Sequence, residues 1–161
     1  KRFTDIPDVK KVKNQVSYVG RNSYEKGIDI LQKIESRING NVVYCTNVSW
    51  KEAMTVIKSS SLLVVPSRME SLPQVIKEAF VLKIPVVGTT AGGIPEIIKD
   101  NVSGKIVPTN DSQKLLEAIN FLLDHPQEAE KMGNAGCDFV MKNFTWDILL
   151  PKFVNFYNNL I

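Results

Sequence analysis

The sequence predicts an α/β domain of Rossmann-like type, in which a parallel sheet of about five strands is flanked by helices. Short apolar runs that end at glycine or proline alternate with segments whose apolar residues recur at helical spacing. One run, SLLVVPS at 61–67, is apolar at consecutive positions, as expected of a strand covered on both faces. Strand alternating with helix implies parallel strands joined by right-handed crossovers.

In the first half of the chain the pattern predicts three strands and two helices. VSYVG (16–20) is an apolar run closed by glycine, NVVYCT (41–46) is a second such run, and 61–67 is the third. Apolar residues at helical spacing predict a helix that ends near Gly40: Ile28, Leu31, Ile34 and Ile38. WKEAMTVIK (50–58) is a short helix with apolar residues on one side: Trp50, Met54 and Ile57.

The second half adds two strands, KIPVVGT (83–89) and GKIVP (104–108), together with four helices and one short segment. Pro73 suits the first turn of a helix, because its missing N–H would be unbonded there. The core-facing residues of that helix are predicted to be Val75, Ile76, Ala79, Phe80 and Leu82. A short segment spans 95–99, Asp111 caps a leucine-rich helix, and another helix runs from Pro126 to about Lys142. The tail 144–161 is a final amphipathic helix.

Length and composition indicate one domain spanning 1–161. The net charge of +3 is too small to predict a nucleic-acid partner. No apolar run reaches the roughly 18 residues of a membrane span, and no signal peptide opens the chain, so we expect a cytoplasmic protein. The basic stretch at 1–14 could meet anionic lipid or nucleic acid, but we expect a solvated linker.

Two carboxylates flank a predicted helix start, Glu70 just before it and Glu78 one turn in. Glu78 borders the apolar face, so it is either a flank charge or a reader of hydroxyl groups. Between them the first-turn N–H groups lack helical partners and carry partial positive charge, which makes an anion site. Pro73 cannot donate, so the candidate donors are the amides of Ser71, Leu72, Gln74 and Val75.

Two further loops should reach the same edge of the sheet. The loop Gly20–Gly27 follows the first strand and carries Arg21 and Lys26, which suit phosphate oxygens. The turn Gly92–Gly93 allows close backbone approach of a ligand, or is simply a tight turn before Pro95. His125, the only histidine, is expected to lie at a surface turn.

Four segments follow one another along the chain: GRNSYEKG, PSRMESLPQVIKEA, KIPVV and GGIPE. Taken together and in this order, they resemble the C-terminal half of retaining glycosyltransferases of the GT-B fold, in the fourth sequence family (glycosyl transferases group 1). The similarity continues through NVSGKIVPTND to FTW at 144–146. The resemblance implies one half of a GT-B fold that binds a nucleotide-sugar donor. It also implies an N-terminal acceptor-binding domain beyond this chain, which could contact a membrane at its inner face, and an isolated fragment that is inactive.

The resemblance assigns roles to residues of this chain. Arg21 and Lys26 would hold the donor diphosphate, Glu78 the ribose hydroxyls, and Glu70 the transferred sugar. The backbone of Ser71, Leu72, Pro73 and Gln74 would cradle the distal phosphate, with Gly20, Gly92 and Gly93 bordering the pocket. No Asp-x-Asp pair or His/Asp cluster is present, so no metal or other cofactor is expected.

This chain departs from the family pattern between KGIDILQKI and SLLVVPS, where it has one strand and one short helix instead of two strands with a helix between. The departure predicts a flavodoxin-like order of five strands. A non-catalytic nucleotide-binding or interaction module is the alternative, which the presence of Arg21, Lys26, Glu70 and Glu78 together disfavours. A signalling receiver would need clustered acids where Arg21 stands.

Overall fold

A computed structural model describes residues 2–160 and contains one five-stranded parallel sheet. The strands are β1 (Gln15–Val19), β2 (Asn41–Cys45), β3 (Leu62–Val65), β4 (Val86–Thr89) and β5 (Gly104–Val107). Their order is β2-β1-β3-β4-β5, and Val16 of β1 pairs with Val42 on one side and Leu62 on the other. The predicted flavodoxin-like order is therefore confirmed.

The described residues form seven α-helices, of which the first six pack around the sheet: α1 (Ile28–Ile34), α2 (Trp50–Ser59), α3 (Gln74–Val81), α4 (Ile94–Ile97), α5 (Ser112–Asp124), α6 (Pro126–Asn143) and α7 (Trp146–Asn158). One apolar cluster joins the sheet to α1 and α5, and a second joins it to α2, α3 and α4, with α6 contributing to both. The first helix is shorter than expected. It ends at Ile34 and continues as a single 3-10 turn, Glu35–Arg37, although Ile38 still reaches the core.

Two helix starts are fixed by side-chain caps. The Asp111 carboxylate accepts from the N–H of Lys114 at 2.9 Å, which confirms Asp111 as the cap of α5. At α2, Ser49 Oγ accepts from the N–H of Glu52 at 3.2 Å, and the Glu52 carboxylate accepts from the N–H of Ser49 at 2.8 Å. This reciprocal pair satisfies two backbone donors and sets the direction of the first turn.

The segment 1–14 differs from the expected solvated linker. Arg2–Asp5 forms a 3-10 turn, Ile6 is only 7% exposed, and the Phe3 ring packs edge-on against Trp50. Lys58 donates to the Pro7 carbonyl at 3.0 Å, and Lys11 donates to the Ser60 carbonyl at 2.9 Å. Phe3 and Ile6 therefore tie the start of the segment to α2, whereas Lys10 and Lys13 are exposed. Lys1 lies outside the described residues.

The predicted C-terminal helix is confirmed as α7, but none of its residues is buried. Its large side chains are exposed: Trp146, Ile148, Leu150, Phe153, Val154, Phe156 and Tyr157. Ile161, the end of the expected tail, lies outside the described residues. Across residues 2–160, no helix has the length and apolar character needed to cross a membrane.

Candidate functional site

A cavity of about 400 Å³ opens at the carboxyl ends of β1 and β3. The chain order reverses between these two strands, so the cavity lies at the switch point where open α/β sheets bind ligands. Its lining residues come from the β1 and β3 exits, the following loops and α3: Tyr18, Val19, Gly20, Lys26, Val65, Pro66, Ser67, Glu70, Leu72, Pro73, Gln74, Val75 and Glu78. Seven of the eleven residues that the resemblance assigned to the donor thus line one concave surface: Gly20, Lys26, Glu70, Leu72, Pro73, Gln74 and Glu78.

The α3 helix begins beside this cavity without a side-chain cap. Pro73 stands at the N-cap, one position before the helix, rather than in the first turn, and its backbone is extended. The first N–H groups of a helix have no partner within it and carry partial positive charge. Leu72, Gln74 and Val75 line the cavity, whereas Ser71 is exposed and is not among the lining residues.

The central feature of the cavity is an ion pair between Lys26 and Glu70. Lys26 Nζ lies 2.5 Å from Glu70 Oε2, and the two side chains are 26% and 10% exposed. Sequence reasoning assigned each residue a separate ligand contact and did not predict the pair, since 44 positions separate them. In the free protein each charge offsets the other.

The loop that carries Lys26 is attached to the β3 exit through its backbone. The Glu25 carbonyl accepts from the N–H groups of Arg68 at 2.8 Å and Met69 at 3.2 Å. Gly27 adopts a left-handed conformation with φ of 66°, and a Cβ there would lie 2.0 Å from the Pro66 carbonyl oxygen. Only glycine permits this approach. Because Gly27 lets the loop pack against Pro66, the preceding residue, Lys26, can place its amine at Glu70.

Arg68 reinforces the same attachment, and sequence reasoning missed it. Its guanidinium donates to both carboxylate oxygens of Asp29 at 2.7 Å, to the Tyr24 carbonyl at 2.7 Å and to Asn110 at 2.6 Å. It also lies over the Tyr24 ring, 4.0 Å from the centroid. The hydrogen bonds from Arg68 lower the pKa of Asp29. The available signal was its position as the one cation within the PSRMES motif.

Arg21 does not line the cavity. Its side chain is exposed and forms no hydrogen bond or ion pair with any residue of the described part of the chain. Its carbonyl accepts from the Tyr18 hydroxyl at 2.8 Å, next to Gly20 in the lining. Burial, with the charge of Asp29, raises the pKa of Tyr18 to about 12, so this hydroxyl remains a donor at neutral pH. The Arg21 backbone is held while its guanidinium is exposed, and the charge of that group also acts on the nearby Glu25 carboxylate.

Glu78 lines the cavity from the side of α3 and is half-buried. Its Oε1 accepts a hydrogen bond of 2.8 Å from Trp50 Nε1 at the start of α2. Of the two interpretations that the sequence allowed, the structure favours the cavity-facing carboxylate over the flank charge. Trp50 had been identified only as a core-facing residue.

Gly92 and Gly93 lie beneath the site rather than in it. A Cβ on Gly92 would come 1.6 Å from the Glu70 carbonyl oxygen, and one on Gly93 would come 2.2 Å from that of Ser71. The N–H of Gly93 donates to the Ser71 carbonyl at 2.8 Å. The paired glycines therefore support the Glu70–Ser71 backbone and are not among the lining residues of the cavity.

Ser67 is a further lining residue that sequence reasoning did not single out. It is 1% exposed, and its hydroxyl has no hydrogen-bond partner among residues 2–160. Its carbonyl accepts from the Thr89 hydroxyl at 2.6 Å, which ties the β3 exit to β4. The cavity thus offers a cation, two carboxylates, a hydroxyl and helix-end amides, a set that suits an anionic ligand carrying hydroxyl groups.

His125, the only histidine of the sequence, does not line the cavity. No group of three or more His, Cys, Asp or Glu side chains in that part of the chain could hold a metal ion. His125 lies at the turn before α6, where its ring stacks on Phe121 with centroids 4.4 Å apart. The expected surface-turn position of His125 is confirmed.

Two named bacterial relatives illustrate what this chain is similar to. A mannosyltransferase of Corynebacterium glutamicum, named as GDP-mannose-dependent and acting on a monoacylated phosphatidylinositol monomannoside, is 27% identical over 88% of this chain and 38% of its own length. Alpha-maltose-1-phosphate synthase of Mycobacterium tuberculosis is 30% identical over 65% of this chain and 29% of its own length. The chain spans less than half the length of these relatives.

Solved structures share the fold. Sucrose-phosphate synthase from Thermosynechococcus elongatus matches with a TM-score of 0.83 at 24% identity, over 92% of this chain and 45% of its own. Anabaena Alr3699/HepE, solved in complex with UDP and glucose, matches with a TM-score of 0.81 at 17% identity, over 91% of this chain and 48% of its own. The expected Rossmann-like half of a GT-B fold is confirmed.

The family model described as "Glycosyl transferases group 1" matches residues 32–138, which is more than half of the chain. The match takes in the PSRMES segment, α3 and the Gly-Gly turn. The chain therefore belongs to the glycosyl transferases group 1 family.

Proposed function

We propose that this chain is the donor-binding part of a retaining glycosyltransferase, which transfers a sugar from a nucleoside-diphosphate sugar to an acceptor. The observation that carries the proposal is that Lys26, Glu70, the start of α3 and Glu78 line one cavity at the β1/β3 switch point. A nucleoside-diphosphate sugar carries two phosphates between two groups of hydroxyls. The cavity offers two carboxylates for hydroxyls, and a cation and helix-end amides for phosphates.

The proposed roles follow from position. Glu78 accepts from the ribose hydroxyls, and the amides of Leu72 and Gln74 at the start of α3 receive phosphate oxygens. Lys26 offsets the charge of the leaving diphosphate, and Arg21 approaches it from the exposed loop. Glu70 orients the transferred sugar.

Offsetting charge on a leaving group is among the largest contributions that an active site makes to lowering the barrier. Metal ions or fixed cations and dipoles can supply it. Here Lys26, Arg21 and the helix end are the groups proposed for this work, with no metal.

The acceptor would bind to a second domain, since the relatives named above are more than twice as long as the segment matched. Half of a two-domain cleft cannot hold donor and acceptor in near-attack geometry. We therefore expect the purified 161-residue chain to bind donor but to show at most slow donor hydrolysis when labelled donor is supplied with a broad set of acceptors. Robust transfer by this chain alone would contradict the two-domain proposal.

The test is calorimetric titration with a panel of nucleoside diphosphates and their sugar conjugates. Losing a buried hydrogen bond to a charged group costs about 1.5–3 kcal/mol. Glu78→Ala should weaken binding of every nucleotide by roughly ten- to a hundredfold. Glu70→Ala should weaken only the sugar-bearing ligands appreciably.

Glu96→Ala, at an exposed carboxylate of α4 outside the cavity lining, is the matched control and should bind like the parent. The assignment fails if no member of the panel binds the parent. It also fails if Glu78→Ala and the parent bind all ligands equally.

A further inference from the structure

The Glu78 carboxylate is held from behind by a neighbouring helix. Trp50 Nε1 donates to Glu78 Oε1 at 2.8 Å, which joins the first residue of α2 to the middle of α3. Glu78 lines the cavity, whereas Trp50 is not one of its lining residues. The other carboxylate oxygen, Oε2, accepts no hydrogen bond from any residue between 2 and 160. One oxygen is therefore occupied by the protein and the other is available to a ligand.

The Trp50 indole, which donates this hydrogen bond, is held in place from two sides. The reciprocal Ser49–Glu52 cap fixes the first turn of α2, where Trp50 stands. On the other side the Phe3 ring packs edge-on against the Trp50 indole, with centroids 5.5 Å apart at an interplanar angle of 75°. Both rings pack against the apolar cluster on this face of the sheet. The indole N–H consequently has a defined direction.

An indole N–H suits this task chemically. It donates and cannot accept, so it binds a carboxylate oxygen in one sense only. It also carries no charge, so it orients Glu78 without neutralising it, unlike the Lys26–Glu70 pair in the same cavity. A glutamate side chain that is already oriented loses less rotamer entropy when it binds a ligand.

We propose that Trp50 is a positioning residue for nucleotide recognition, which sets Glu78 to accept from vicinal ribose hydroxyls. This inference rests on the proposed function, because Glu78 needs a hydroxyl-bearing ligand for its orientation to matter. Trp50 touches no ligand. Its effect passes through the Glu78 carboxylate and is confined to the ribose end of the site.

The chain offers a matched control. It has two tryptophans, and the other, Trp146, is 74% exposed on α7. Trp50→Phe removes the N–H donor and keeps an aromatic ring in the apolar cluster. Trp146→Phe makes the same chemical change at an exposed position, and it leaves Trp50 as the sole indole fluorophore.

The experiment compares three probes by calorimetry: the tightest-binding nucleoside diphosphate of a uridine, guanosine and adenosine panel, its 2′,3′-dideoxy analogue, and inorganic pyrophosphate. Trp50→Phe should bind the nucleoside diphosphate about tenfold more weakly. The dideoxy analogue and pyrophosphate should bind unchanged, because neither carries the ribose hydroxyls. Trp146→Phe should bind all three like the parent. In a Glu78→Ala background, Trp50→Phe should cause no additional loss.

A second measurement leaves residue 50 intact and serves if Trp50→Phe does not fold. In Trp146→Phe, the nucleoside diphosphate should change the Trp50 emission, because hydroxyl binding at Glu78 alters the partner of the indole N–H. The dideoxy analogue should leave the emission unchanged.

The outcomes separate the two hypotheses. Equal loss for all three probes would assign Trp50 a structural role and overturn the inference, as would no loss at all, while the proposed function stands. An emission change that is the same with the dideoxy analogue would also overturn it. If Trp146→Phe and the parent bind no nucleoside diphosphate, the proposed function fails and the inference fails with it.

Discussion

At the scale of single residues, the Lys26–Glu70 pair determines how the cavity meets an anion. The two side chains are largely buried and lie 2.5 Å apart, so a phosphate must compete with Glu70 for the amine. Taking charges out of water is costly, and the attraction between the two charges offsets part of that cost. The protein thus holds Lys26 ready while limiting attraction for simple anions.

Removing the Glu70 charge should therefore increase affinity for a simple diphosphate. We expect Glu70→Gln to bind inorganic pyrophosphate several-fold more tightly than the parent in calorimetry at low salt. The anion would no longer compete with the Glu70 carboxylate for Lys26, and it would no longer be repelled by that negative charge. Glu96→Gln is the control, since that carboxylate is exposed, lies outside the cavity lining and is screened by solvent. Weaker pyrophosphate binding by Glu70→Gln would mean instead that Glu70 is needed to keep Lys26 in position.

The sequence allowed several residues of the site to be predicted, but not the contacts that they make. Lys26, Glu70 and Glu78 were identified because they are charged residues at loop and helix-start positions. Their partners were not identified: Glu70 for Lys26, Trp50 for Glu78, and Asp29 for Arg68 lie 28 to 44 positions away. Contacts over such separations depend on how the helices pack across the sheet, which periodicity does not specify.

At the scale of elements, the packing of α3 against α6 supports the cavity from the side away from the ligand. Gly136 of α6 faces the Phe80 ring of α3, and a Cβ at that glycine would lie 2.3 Å from Phe80 Cδ1. Phe80 is fully buried, so it has little room to move. The helix that carries Glu78 is thus held by a contact that allows no extra carbon atom.

Gly136→Ala tests this contact. Alanine favours helix over glycine by about 1 kcal/mol, but overpacking a core usually costs about 1–3 kcal/mol. We expect net destabilisation, measured as a lower midpoint in urea unfolding with an unchanged slope. Asp138→Ala, on the exposed side of α6, should change stability by no more than about 0.5 kcal/mol. Stabilisation by Gly136→Ala would show that Phe80 can shift.

Element type and order were predictable, and some ends and environments were not. The five strands, the Asp111 cap and the helix that follows Pro73 were all confirmed. The 1–14 segment was interpreted from its charges, while Phe3 and Ile6 determine where it lies. The first helix ends before the Ile38 that completes its apolar pattern, since a 3-10 turn also places that residue in the core.

At the scale of the whole molecule, the distribution of charge indicates how a diphosphate would be bound. The net charge of +3 is small, and the cations of the site, Lys26 and Arg21, lie on one loop near the start of α3. Interactions with partly exposed cations weaken as salt rises, because ions screen them. If a metal ion held the diphosphate, the binding affinity would depend on the concentration of that metal instead.

We expect nucleoside-diphosphate binding to be unchanged by EDTA and by added Mn²⁺, and to weaken as salt is raised. Lys26→Ala should weaken binding more than Arg21→Ala, since Lys26 lines the cavity and Arg21 does not. Titration in chelator and then in excess Mn²⁺ measures this directly. A large gain in affinity on adding metal would contradict the prediction and indicate a ligand set formed only with the nucleotide present.

The exposed position of α7 implies that this helix unfolds at a lower free energy than the sheet does. A helix of 13 residues is marginal in water by itself, and Pro151 within α7 removes a backbone donor from its ladder. With no buried residue to tie it to the sheet, α7 should open and close by local unfolding while β1 and β3 stay intact. In hydrogen–deuterium exchange read by mass spectrometry, amides at 147–158 should exchange nearly as fast as those of an unstructured peptide, with strand amides slower by orders of magnitude. Slow exchange throughout α7 would mean that something covers this helix in solution.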